Sequence, residues 1–127
     1  MLSDLIKRIW NRFYMFDITE PQVPEITAEN VKKSIDAKEG ALLLDVRTAG
    51  EYLRGKIEGS INIPVDEVTN FVESVVPDKS HTIYVYCLSG SRSVHAVSTM
   101  VKLGYTRVYN MINGLLAWRA KGYPVEG

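Results

Sequence analysis

The sequence predicts an α/β fold, in which helices cover both faces of a mostly parallel sheet. From Glu25 onward, short apolar runs alternate with amphipathic stretches, which is the order of repeated strand–helix–strand units. One run, at residues 41–46, is almost continuously apolar, as expected of a strand that is buried on both faces. A length of 127 residues with 46% apolar positions is typical of one globular domain.

Four segments are predicted as strands, at residues 41–46, 60–63, 82–86 and 107–111. Pro64 ends the second of them, because proline has no amide proton for the ladder. The third is rich in β-branched and aromatic residues, which favours a central strand. Cys87, the only cysteine of the chain, follows this third strand directly.

Helices are predicted between the strands, where apolar residues recur at spacings of three and four. Thr27 suits the N-cap of the first helix, and Gly40 is expected to end it. The second is short, near residues 50–54, and the third covers residues 65–76. The fourth leaves the Cys87 loop and ends before Gly104. The apolar residues expected to face inward from the third and the last helix are Val68, Phe71, Val72, Val75, Leu115, Leu116 and Trp118.

The first 24 residues are predicted to form a separate unit, an amphipathic helix followed by a proline-containing connector, while residues 25–127 form the main domain. Seven apolar residues between Leu2 and Phe16 fall on one helical face. The sequence leaves three roles open for this helix. It packs on its own domain or on a second copy, it lies on a membrane surface, or it enters a groove of a partner protein.

Composition excludes several classes of function. Fifteen acidic and fifteen basic side chains cancel, so no overall field attracts nucleic acid, and we expect no nucleic-acid partner. One cysteine and two histidines give no ligand set for zinc or an iron–sulfur cluster, so no metal is expected. The chain has no run of about twenty apolar residues and no secretory signal pattern, which together with the lone cysteine predicts a cytoplasmic protein.

The loop after Cys87 predicts a reactive thiol. Leu88, Ser89, Gly90 and Ser91 lead straight into a helix, so loop amides and the helix N-terminus converge and form a cradle for an anion. Arg92 adds a positive charge in the first helical turn, which also favours a thiolate. The alternative is a cysteine that only fills the core, but such a cysteine needs no cluster of Gly, Ser and Arg behind it.

Three motifs resemble the single-domain rhodanese (thiosulfate sulfurtransferase) family. The loop Cys-x-Ser-Gly-x-Arg-Ser at residues 87–93 is similar to the family's active loop. An upstream segment at residues 45–64 begins with Asp45-Val46-Arg47 and ends with Gly59-Ser60-Ile61-Asn62-Ile63-Pro64, and a carboxyl-terminal segment runs from Asn113-Gly114 to Tyr123-Pro124-Val125. The motifs occur in the family's order within residues 25–127. Lys56 and Glu58 depart from the upstream motif, in which many relatives have histidine and proline.

The resemblance implies a three-layer α/β/α domain with a five-stranded parallel sheet. It also implies a sulfurtransferase that carries sulfur as a persulfide on Cys87, takes it from a small donor such as thiosulfate, and gives it to cyanide or a thiol. No cofactor is implied. Asp45 and Arg47 would support the loops beside the pocket, and the spacing of Arg47 and Glu51 predicts an i,i+4 ion pair.

Two other functions stay open at this point. A persulfide carrier or interaction module would be loaded and unloaded by protein partners. A cysteine phosphatase of related architecture is less favoured, because its loop has one more residue than the four between Cys87 and Arg92 and begins after histidine, where this chain has Tyr86.

Overall fold

The computed structural model describes residues 21–127, so the predicted amino-terminal helix and the first half of its connector lie outside the described residues. Five parallel strands form one sheet in the order β1-β5-β4-β2-β3. Their bounds are β1 Glu25–Ile26, β2 Leu42–Asp45, β3 Ile61–Asn62, β4 Ile83–Tyr86 and β5 Val108–Met111. Among the helices of residues 21–127, none combines the length and the apolar character that a membrane-spanning helix requires.

Within residues 21–127, four helices connect the strands and a fifth follows β5. They are α1 Ala28–Asp36, α2 Ala49–Arg54, α3 Val68–Val75, α4 Ser91–Lys102 and α5 Gly114–Ala120, with a 3-10 turn at Val65–Glu67 before α3. The N-cap predicted for α1 is present, since the Thr27 hydroxyl accepts a hydrogen bond from the Asn30 amide at 3.1 Å. The helix ends at Asp36, four residues before Gly40, because Lys38 already takes a left-handed conformation at φ 54°.

The third predicted strand is the central one, as its composition indicates. β4 lies between β2 and β5, and all four of its residues are buried. It pairs with β2 in a register that sets Asp45 beside Tyr86. The next residue, Cys87, therefore lies at the carboxyl edge of the sheet beside the end of β2, where ligands bind in open α/β sheets.

Each face of the sheet has its own apolar core, so the three-layer prediction is confirmed. One core packs α3 and α4 on the sheet through Val72, Val97 and Met100, and it includes Cys87. The other packs α1 and α5 through residues such as Leu115 and Trp118.

Several details differ from the sequence-based prediction. β1 was expected only from the family resemblance, since two residues are too few to show an apolar period. Leu116, Phe71 and Val75 were expected to face inward, but they are 51%, 49% and 42% exposed. Each lies next to the buried stripe of its helix. The face that each helix packs against the sheet is narrower than the face marked by its apolar residues.

Candidate active site around Cys87

Cys87 lies beneath a tight turn that joins β4 to α4. The residue is completely buried, and its Sγ accepts a hydrogen bond from the Gly90 amide at 3.1 Å. Gly90 is the residue before α4 and has φ 107°, a left-handed conformation that costs glycine little.

A second contact to the sulfur comes from Ser93, in the first turn of α4. Its Oγ lies 3.4 Å from Sγ, and it also lies 3.1 Å from the Gly90 carbonyl oxygen and 2.5 Å from Oδ1 of Asn110. Asn110 belongs to β5, and its Nδ2 donates to the Glu25 carboxylate at 3.3 Å. A polar chain thus leads from the thiol, through two buried side chains, to the surface.

These contacts act on the pKa of Cys87 in opposite directions. Burial has the largest influence and raises the pKa, because the thiolate loses hydration. The Ser93 hydroxyl and the amides of Ser93, Gly90 and Ser89 lower it. Together the hydrogen bonds exceed the effect of burial, and the pKa of Cys87 lies below its usual range. The site therefore favours the nucleophilic form of the thiol.

The carbonyl groups of the turn are bound by the start of α5. The Leu115 amide donates to the Cys87 carbonyl at 2.9 Å, and the Leu116 amide donates to the Leu88 carbonyl at 3.0 Å. Gly114 has φ 50°, and a Cβ atom there would lie 2.3 Å from the Cys87 carbonyl oxygen. Only glycine fits this position, so the Asn113-Gly114 pair allows α5 to approach the turn this closely.

Arg92 pairs with an acidic residue on another helix. Its guanidinium donates two hydrogen bonds to the Glu51 carboxylate, at 2.7 and 3.1 Å. These bonds lower the pKa of Glu51 to about 2, despite partial burial, and a bond from the Thr48 amide helps. Arg92 thereby connects α4 to α2 across the edge that holds Cys87. Its hydrogen bonds with Glu51 raise the pKa of Arg92 most, and the charge of a thiolate at Cys87 raises it further.

Asp45 and Arg47 form a buried ion pair with each other. Nη2 of Arg47 lies 2.6 Å from Oδ2 of Asp45, and it also donates to the Gly55 carbonyl at 2.5 Å. The predicted pair between Arg47 and Glu51 is wrong. Arg47 precedes the Thr48 N-cap of α2, so Arg47 and Glu51 do not share a helical face, and each binds a different partner.

A cavity of about 240 Å³ opens beside the turn. Its lining includes Ser89, Gly90 and Ser91 of the turn, together with Glu25 and Asn110. Cys87 is not among the residues that line this cavity. A molecule in the cavity would contact the outer surface of the turn.

The structure thus brings together all of the predicted loop residues, Cys87 to Arg92, at one sheet edge. Asp45 and Arg47 lie on the adjoining strand end. Sequence reasoning missed Asn110 and the pairing of Arg92 with Glu51. An asparagine within the apolar strand Val108–Met111 was an available signal, because a buried amide needs specific partners. No local signal connects Arg92 to Glu51, which is 41 residues away.

Comparison with known proteins identifies the domain family of this chain. The sequence profile of the rhodanese-like domain matches residues 27–121. The chain belongs to the rhodanese-like domain family. A protein named sulfurtransferase from Allochromatium vinosum is 31% identical over 103 residues, which are 81% of this chain and 94% of that protein.

Other relatives of this rhodanese domain differ in length and name. YrkF of Bacillus subtilis, named as a candidate sulfur carrier protein, is 36% identical over 99 residues, which cover 78% of this chain but 52% of YrkF. The chain therefore corresponds to about half of that relative. A rhodanese-related protein from Thermoplasma volcanium superposes with a TM-score of 0.72 at 32% identity, covering 81% of this chain and 97% of that one.

Proposed function

We propose that this rhodanese domain is a sulfurtransferase that carries sulfane sulfur as a persulfide on Cys87. The observation that carries the proposal is the hydrogen bond from the Gly90 amide to Sγ at 3.1 Å, in a turn whose amides and Ser93 lower the pKa of the thiol. Relatives named sulfurtransferase support the same reaction class. A free thiol that must stay reduced also supports our proposal of a cytoplasmic location.

The reaction proposed for the small donor is a pair of displacements at sulfur. The Cys87 thiolate attacks the outer sulfur of thiosulfate, the S–S bond of thiosulfate breaks, and sulfite leaves with the bonding electrons. The product is a cysteine persulfide anion. Cyanide or an acceptor thiolate then attacks the outer sulfur of the persulfide, and Cys87 leaves as the thiolate, so the enzyme returns to its starting form without a cofactor.

The proposed roles of the loop follow from where charge resides in these steps. Negative charge is on Cys87 before the first step and on the outer sulfur after it. The amides of residues 88–92 form the cradle for these anions, and Arg92 supplies a nearby positive charge. Asp45 and Arg47 support the adjacent strand end. Because Cys87 is completely buried, transfer requires the turn to open enough for one sulfur atom to reach Sγ.

The test is thiosulfate-dependent thiocyanate formation by the parent protein and two variants. Cys87→Ala is expected to abolish turnover, since no other side chain in the chain is a thiol. His95→Ala is the matched control, because His95 is an exposed residue of the same helix, α4, and it is expected to keep the parent's activity. Turnover by Cys87→Ala equal to that of the parent would overturn the proposal.

A second candidate is a persulfide carrier that exchanges sulfur with protein partners. Its support is the relative named as a candidate sulfur carrier and the burial of Cys87, which suits a partner that opens the turn on docking. Incubation with thiosulfate and with a persulfide-loaded protein donor separates the two. Sulfur on Cys87 from the protein donor alone would favour the carrier, and sulfur from thiosulfate alone favours the enzyme.

A further inference from the structure

The Ser93 hydroxyl lies near three acceptors and has one proton to donate. Oδ1 of Asn110 is at 2.5 Å, the Gly90 carbonyl oxygen is at 3.1 Å, and Sγ of Cys87 is at 3.4 Å. The shortest contact takes the proton. In this arrangement Ser93 donates to Asn110, and its oxygen can accept a hydrogen bond from the Cys87 thiol. The hydroxyl lowers the pKa of Cys87 only when its proton turns from Asn110 to the sulfur.

Glu25 decides which end of the Asn110 amide faces Ser93. The Glu25 carboxylate only accepts hydrogen bonds, and it lies 3.3 Å from Nδ2 of Asn110. A reversed amide would turn its oxygen toward that carboxylate and its NH2 group toward Ser93. Because Ser93 is 0% and Asn110 is 2% exposed, bulk water does not replace these bonds. The carboxylate therefore keeps Asn110 as an acceptor for the Ser93 proton.

We propose that Asn110 and Glu25 are positioning residues, which direct the Ser93 hydroxyl away from Cys87 and so limit the thiolate population. Ionisation of Cys87 then requires the hydroxyl to rotate from Asn110 to the sulfur. Only the catalytic consequence depends on the proposed function. Besides Glu25, the charged groups around Cys87 and Ser93 form the pairs Asp45–Arg47 and Glu51–Arg92.

The direct test is the pKa of Cys87, followed by the ¹³Cβ chemical shift of labelled cysteine. The chain has one cysteine, so one signal reports the titration without any need for a reagent to enter the turn. Ser93→Ala is expected to raise the pKa, because the thiolate loses a donor. Asn110→Ala is expected to lower the pKa, so that the thiolate fraction rises roughly threefold to tenfold at a pH below the pKa.

The double variant decides whether Asn110 acts through Ser93. In a Ser93→Ala background, Asn110→Ala is expected to leave the pKa unchanged, since no hydroxyl proton remains to be redirected. A rise in the pKa of the single Asn110→Ala variant, no change, or an equal fall in both backgrounds would overturn the role of Asn110.

Glu25→Ala provides a second test that spares the core, because Glu25 is exposed. It is expected to lower the pKa of Cys87 in the parent background and not with Ser93→Ala. An equal shift in both backgrounds would show a charge acting at a distance and would overturn the positioning role of Glu25. If the expected pattern is found in a protein that transfers no sulfur, the proposed function fails and this inference stands.

Discussion

The two sides of the Cys87 turn are held by different kinds of contact. One side, here called the frame, consists of α5 and the end of β2. The α5 amides of Leu115 and Leu116 donate to the carbonyls of the turn, and Asp45 pairs with Arg47 at the end of β2. On the sulfur side, the Gly90 amide and Ser93 contact Sγ, and the Arg92–Glu51 pair is partly exposed. The contrast indicates that the frame supplies stability, while the sulfur side sets the reactivity of the thiol.

The largest expected effect is on the frame, from Arg47→Leu. The change leaves the Asp45 carboxylate buried without its partner, which destabilises a protein by about 3–5 kcal/mol. Denaturant unfolding measures the loss. Lys32→Leu is the control, because the Lys32–Asp36 pair lies at the surface and contributes about 0.5 kcal/mol or less. Similar losses in the two variants would contradict the importance of the buried pair.

Gly114→Ala is expected to have the next largest effect. The new methyl group would meet the Cys87 carbonyl oxygen in a residue with positive φ, and the two penalties together cost about 2–4 kcal/mol. Gly122→Ala is the matched control, since Gly122 has φ 75° with open space around it and carries only the conformational cost, about 1 kcal/mol. Thiocyanate formation is expected to fall more in Gly114→Ala. Equal losses of stability and activity would show that close approach by α5 is unimportant.

The partly exposed pair on the sulfur side is expected to show a small, pH-dependent effect. The pKa of Glu51 is lowered to about 2 from an ordinary 4.5. The Arg92–Glu51 pair therefore stabilises the folded protein fully above pH 4.5, and this contribution disappears as the pH falls toward 2. Its size is about 1 kcal/mol. Glu51→Gln should flatten this acid decline in the free energy of unfolding measured by urea titration.

A double-mutant cycle checks that this decline comes from the pair. Arg92→Ala should remove the same contribution as Glu51→Gln, and combining the two should add little. Fully additive losses at pH 7 would show that Arg92 and Glu51 stabilise the protein independently of each other.

The sequence predicted the parts of the site that depend on local chain properties. The β-branched and aromatic residues of β4 were enough to predict its central position in the sheet. The Ser-rich turn with Gly90 was enough to predict that the chain passes directly from β4 into α4. The predicted ion pair between Arg47 and Glu51 was wrong, because residues four apart are neighbours only when both lie inside a helix. Thr48 is the N-cap of α2, so Arg47 lies outside that helix. The Arg47 guanidinium pairs with Asp45 instead.

Contacts between distant segments were beyond the reach of local patterns. The Ser93–Asn110 bond joins α4 to β5, and the Arg92–Glu51 pair joins α4 to α2. Both depend on the strand order, which brings the ends of β1, β5, β4 and β2 to one edge. The family resemblance implied a five-stranded parallel sheet, but it implied neither the strand order nor which side chains meet at this edge.

The most direct test of the central claim is the intact mass of the protein after exposure to thiosulfate. We expect the parent to gain the mass of one sulfur atom and to lose it again on addition of cyanide, while Cys87→Ala gains none. An unmodified parent under these conditions, or the same gain in Cys87→Ala, would contradict a persulfide formed on Cys87 from thiosulfate.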